Sequence, residues 1–197
     1  EVTAPRKASE REIRDFVAGK TAWLTKYMAL VPEKIKFQYV TGEIHHGFGR
    51  AYPLQVCLGM RDDAAVSTDG ELQLVLRTKQ REREKVFKAG MKRILLWEIE
   101  KQLEIWTKRM AIPESWITGV TIRVMKSRWG SCRRVTGRFS FALDLVTKPK
   151  ECIEAVVVHE LCHLFAAGHG ADFYARMETS LPDYKERGRL LSSLPRE

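Results

Sequence analysis

From Ser9 onward, apolar side chains return every three or four positions: Ile13, Phe16, Val17, Leu24 and Tyr27. That spacing predicts a helix from about Glu10 to Ala29, and Ser9 with Glu12 has the form of a capping box at its start. Between Pro32 and Arg77 the pattern shortens to apolar runs at Ile35 to Val40 and Tyr52 to Leu58, and to alternation at Leu72, Leu74 and Leu76. Gly42, Gly47, Gly49 and Asp69-Gly70 punctuate these runs, so short strands joined by turns are predicted. Phe87, Met91, Leu95, Ile99, Leu103, Trp106 and Met110 then form a ladder of threes and fours, predicting one long core helix from about Lys79 to Met110. Pro113 ends it.

Farther on, Val120, Ile122 and Val124 alternate with Thr121, Arg123 and Met125, and Phe139, Phe141, Leu143 and Leu145 with Ser140, Ala142 and Asp144. Two strands are predicted, antiparallel neighbours across a loop holding Gly130 and Gly137. Thr147-Lys148-Pro149 offers a helix start; Ile153, Val157, Leu161 and Leu164 supply its buried stripe, and Gly168 a stop. The order of elements predicts an α+β fold in one compact domain over 1–197. An N-terminal helix and short-strand lobe would fill 1–78, and the long helix, two strands and last helix 79–197.

Composition narrows the class. With 197 residues, 44% hydrophobic and 30% charged, the chain has the makeup of a globular domain rather than a disordered or fibrous one. No apolar run reaches membrane-spanning length, so no membrane partner is expected. Cys57, Cys132, Cys152 and Cys162 are widely spaced, which predicts reduced thiols and a cytoplasmic location. The opening Glu1-Val2-Thr3-Ala4-Pro5 has neither an initiator Met nor the apolar core of a secretory signal, the expectation being a trimmed or truncated chain. A formal charge of +9 fits a solvated basic surface or an acidic partner such as nucleic acid. Arg133, Arg134 and Arg138 fit a solvated hairpin tip or a phosphate contact, and His45-His46 an exposed glycine-rich loop. Oligomeric state leaves no mark in the sequence.

His159-Glu160-Leu161-Cys162-His163 has the form HExxH and falls inside a predicted helix. Positions four apart differ by only about 40° around a helix axis, so both imidazoles leave one face and can share a metal. Glu160 lies about 100° from His159, beside the metal position, where a general base can reach a water. A catalytic zinc takes three protein ligands, and His169, six residues past His163, is the candidate third; Glu178 is the alternative. The spacing equals that of the metzincin signature, but Ala166 stands at that signature's glycine position. Cys162 points away from His163 and reads as a buried thiol.

Ser127-Arg128-Trp129-Gly130-Ser131-Cys132, followed by a strand, a proline, the HExxH helix, His169-Gly170 and Pro182-Asp183-Tyr184, resembles the YgjP-like metallopeptidase family. Tyr52-Pro53-Leu54 and the opening helix extend the resemblance over most of the chain, and Val2-Thr3-Ala4-Pro5 looks like the end of the β segment that opens that family. The resemblance implies a zincin-like fold related to the SprT-like proteases: a small antiparallel sheet packed on the HExxH active-site helix, with further long helices. One edge strand would bind an extended peptide. The Asn common in that family's second strand is missing from Phe139 to Asp144.

The expected function is a zinc-dependent metallohydrolase, a peptidase acting on peptide or protein substrates, with one Zn(2+) per chain on His159, His163 and His169 and with Glu160 as base. Arg128, Trp129 and Ser131 are candidates to line the cleft. Tyr174 or Tyr184 is a candidate oxyanion donor, and Asp172 or Asp183 a candidate acceptor behind an imidazole. The alternative is a nucleic-acid-associated module in which the metal is structural or vestigial.

Overall fold

The computed structural model describes residues 4–5, 8–28, 36–66, 71–77 and 82–196, in two compact units, Glu1–Lys36 and Phe37–Glu197. The segment 1–3, Ile35, the Asp69-Gly70 turn and the Lys79 helix start lie outside the described residues.

The first unit holds α1 (Glu10–Gly19) and α2 (Thr21–Met28), where the sequence predicted one helix. The break falls at Lys20, whose N–H returns to the carbonyls of Ala18 and Val17 and so ends the ladder. The capping box is formed: Ser9 Oγ accepts the Glu12 N–H at 3.3 Å, and Glu12 accepts the Ser9 N–H at 2.8 Å. No residue of α1 is buried; Phe16, expected on an inward stripe, is 65% exposed.

The second unit begins with a four-stranded sheet in the order β1 (Ile44–Gly47), β2 (Arg50–Leu58), β4 (Leu72–Leu76), β3 (Asp63–Val66). β2 and β4 run parallel and the outer pairs antiparallel. The His45-His46 segment, expected as an exposed loop, is β1. His45 is 3% exposed, its Nε2 2.8 Å from Glu43 Oε2, among the rings of Phe37, Tyr39 and Phe87. Glu43 also accepts the N–H groups of Gln38 and Tyr39, so a single carboxylate organises the entry into the sheet.

α3 (Arg83–Arg109) carries the ladder as predicted: Phe87, Met91, Leu95, Ile99, Leu103 and Trp106 are all buried. A second sheet has the order β5 (Gly119–Arg123), β7 (Arg138–Ala142), β6 (Gly130–Arg133). Here the prediction of two antiparallel strands is corrected. β5 pairs parallel to β7, because the supposed loop holds a third strand, β6, which makes the antiparallel turn into β7. That turn is a 3-10 segment closed by Gly137 at φ +60, where an added Cβ would meet the Trp116 carbonyl. Leu143 and Leu145, expected in the strand, lie in a 3-10 turn.

α4 (Lys150–Cys162) starts after Pro149 as predicted and is buried along most of its length. It ends at Cys162 rather than at Gly168, which has no positive φ. α5 (Ala171–Ser180) and α6 (Tyr184–Ser193) complete the chain. Arg187 fastens α6 to α4: it donates to Glu154 at 2.5 Å, and also to Asp183, the N-cap residue of its own helix, at 2.8 Å. All four cysteines are unpaired. Among the described residues no helix is long and apolar enough to cross a membrane.

Candidate metal centre and cleft

His159 leaves the last turn of α4, His163 caps its end, and His169 follows on the loop that leads into α5. Their ring nitrogens all lie within 4.8 Å of one another, and no other such cluster occurs among the described residues. His159 Nε2 and His169 Nε2 are 3.1 Å apart. Tetrahedral zinc with bonds of about 2.0–2.1 Å separates two ligand nitrogens by about 3.3–3.4 Å, so this pair already stands near the required spacing. His163 Nδ1 lies 3.1 Å from the Ala166 carbonyl. A carbonyl can only accept, so Nδ1 carries the proton and Nε2 keeps a free lone pair for a metal. The donor set therefore fits zinc: three imidazoles, two of them partly buried, with a fourth direction left for water. Glu178, the alternative third ligand, is instead exposed and 3.7 Å from Lys185.

Phe173, fully buried on α5, stands behind this group with its ring centroid 4.7–4.9 Å from all three imidazoles. It gives the site a rigid backing. Burial, and then the charges of His163 and His169, hold His159 down to about 4, so it is neutral at pH 7 as a ligand must be.

Glu160 projects from α4 toward β6. It is 4% exposed, and burial pushes its carboxyl up to about 7 against the opposing effects of the Arg128 charge and the Cys132 backbone N–H, which it accepts. The contact depends on a glycine: a Cβ at Gly130 would lie 2.6 Å from Glu160 Oε1 and 2.7 Å from its Cγ. The Arg128-Trp129-Gly130-Ser131-Cys132 run thus has a physical meaning. Gly130 clears space for the carboxylate against β6.

β6 is an edge strand. Ala142 N–H donates to the Trp129 carbonyl at 2.8 Å, so Trp129, Ser131 and Arg133 face β7, whereas Gly130 and Cys132 turn their main-chain groups outward. A cleft of about 700 Å3 opens here, with Arg128, Trp129 and Ser131 in its wall together with His159, Glu160 and His163. Tyr184 also lines it. Tyr174 is 46% exposed with its ring 6.4 Å from that of His169, and neither it nor Asp172 is part of the cleft wall. Sequence reasoning missed the Ala166 carbonyl, the Cys132 N–H and the Phe173 backing. Main-chain partners leave no residue signature; the small residue in the wall, Gly130, was the available clue.

A family model described as YgjP-like, metallopeptidase domain, matches residues 1–194. Among solved structures, the metallopeptidase zymogen of Pyrococcus abyssi abylysin is 23% identical, over 50% of this chain and 97% of that one, with a TM-score of 0.44. The zymogen of Methanocaldococcus jannaschii jannalysin is 21% identical, over 50% of this chain and 91% of that one, with a TM-score of 0.43. No curated protein matches the chain.

Proposed function

The chain belongs to the YgjP-like metallopeptidase-domain family, and on that premise we propose that it is a zinc-dependent peptidase whose metal is held by His159, His163 and His169 and whose general base is Glu160. The observation that carries this reading is the convergence of three ring nitrogens within 4.8 Å beside a buried carboxylate. Zinc, when bound, supplies Lewis acidity, acidifying water and polarising a carbonyl.

The chain's own residues do the rest. Glu160, with its carboxyl pushed up to about 7, takes a proton from the attacking water and later gives it to the leaving amine. Burial against Gly130 of β6 confines the carboxylate during both transfers. An extended substrate pairs with the outward main-chain groups of β6, which brings its scissile bond across the HExxH face of α4. Tyr184 donates toward a developing oxyanion, a role supported by its place in the cleft wall, which Tyr174 does not share.

Glu160→Gln tests the assignment. The variant keeps its metal while peptide hydrolysis falls by about 10²–10⁴-fold; turnover at the parent rate removes Glu160 from the mechanism.

A second reading rests on charge. From Gly119 to Leu143 the chain has six cations, Arg123, Lys126, Arg128, Arg133, Arg134 and Arg138, and no acidic residue. Arg133 and Arg138 stand opposite each other in register, a repulsive pair that a polyanion would relieve. Nucleic-acid association then shows as binding that falls steeply with salt, and weak binding insensitive to salt dismisses it.

A further inference from the structure

The cleft extends past the three histidines between α4 and α6. On α4, Ala155 and Val156 lie one turn before His159 and Glu160 and share their face; on α6, Tyr184, Gly188, Leu191 and Ser192 form a single stripe opposite. Ala155, Val156, Leu191 and Met177 of α5 are buried, so the floor of this arm is apolar, with the Tyr184 and Ser192 hydroxyls at its wall.

Gly188 is the unusual member. Glycine inside a helix is destabilising by about 0.5–1 kcal/mol relative to alanine and commonly marks a close approach of two backbones. No such approach occurs: a Cβ added at Gly188 meets nothing within 4 Å. Next to it, Arg187 ties α6 to Glu154 of α4, so the two helices are held at this separation. The glycine thus keeps space open in a fixed wall.

Resting on the peptidase reading above, we propose that the space between Ala155 and Gly188 is the specificity subsite of the enzyme, and that it takes an aliphatic substrate side chain of the size of Leu or Met next to the scissile bond. The geometry suits a neighbouring residue: one helical turn carries the pocket about 6 Å along α4 from His159, within reach of a side chain whose Cα is about 3.8 Å from the next. No charged residue of α5 or α6 is in the cleft wall, so charged residues at that substrate position are rejected by desolvation.

Binding to the zinc-loaded protein tests this without turnover, using acetohydroxamate and the hydroxamate of 4-methylpentanoic acid, which adds an isobutyl-bearing arm. The parent is expected to bind the branched probe at least about tenfold tighter, since each buried methylene adds roughly a factor of four. Gly188→Leu fills the space and abolishes that preference while leaving acetohydroxamate binding unchanged; Gly188→Ala reduces it and raises Tm. Gly188→Met, whose side chain adapts to irregular space, replaces the Leu variant if that one fails to fold. Equal binding of the two probes by the parent, or an undiminished preference in the filled variant, overturns the subsite and leaves the metal centre standing. Failure of both probes to bind zinc-loaded parent overturns the peptidase reading and the subsite with it.

Discussion

Replacing Gly130 by alanine should disable the protein without emptying its metal site. The new Cβ would lie 2.6 Å from Glu160 Oε1, 2.7 Å from Cγ and 2.9 Å from Cδ, all closer than side-chain carbons approach. Relief requires a shift of several tenths of an ångström or more. Glu160 is 4% exposed, so its packing leaves it little room to swing away. Strand β6 cannot easily retreat either, because it is paired to β7 along Gly130–Arg133. Overpacking of this kind costs about 1–3 kcal/mol of stability, and a base displaced by about 1 Å costs on the order of 10²-fold in rate. The three atoms nearest the added Cβ all belong to Glu160 and none to His159, His163 or His169, so metal content stays at the parent value. The assay pairs kcat/KM on a peptide substrate with elemental analysis of the same preparation. Activity within threefold of the parent refutes the proposed role of Gly130, and loss of metal shows that the strand supports the ligands instead.

Two further expectations concern the frame. Glu98 is 1% exposed on α3, and burial, which raises its pKa, is outweighed by hydrogen bonds from Lys150 at 2.9 Å and Gln102 at 3.0 Å; the net shift is downward from 4.5. A depressed folded-state value means the stabilisation is complete above 4.5 and disappears as pH falls through the lower folded value. Lys150→Met should therefore cost about 1–2 kcal/mol at pH 7, limited by the half-exposed lysine. In urea unfolding at a series of pH values the gap between parent and variant narrows below 4.5, and a gap that widens on acidification contradicts the assignment. Glu43→Ala strands the N–H groups of Gln38 and Tyr39 and the ring of His45, at a cost of about 2 kcal/mol in the same assay; an unchanged midpoint shows that solvent satisfies them.

The long helix, the HExxH helix and the three histidines were legible in the sequence, because periodicity and ligand spacing are local properties. His169 needed only its distance from His163 to be found. The parallel pairing of β5 with β7 was not legible, since alternation marks strands but says nothing of partners, and four residues of β6 are too few to announce themselves. His45 was misplaced for a related reason: a histidine between glycines reads as a loop until Glu43 and a ring of aromatic side chains are brought around it by chain folding. Glu160 could be singled out as a candidate base from its spacing, whereas its packing against Gly130 depends on a strand thirty residues earlier reaching the helix.

Zinc per chain, measured for the parent, His169→Ala and Glu160→Gln, decides whether three histidines hold the metal with Glu160 outside the ligand set. About one zinc is expected in the parent and in Glu160→Gln, with a marked loss in His169→Ala. A folded parent that binds no zinc, or a His169→Ala variant that keeps a full equivalent, contradicts this ligand set.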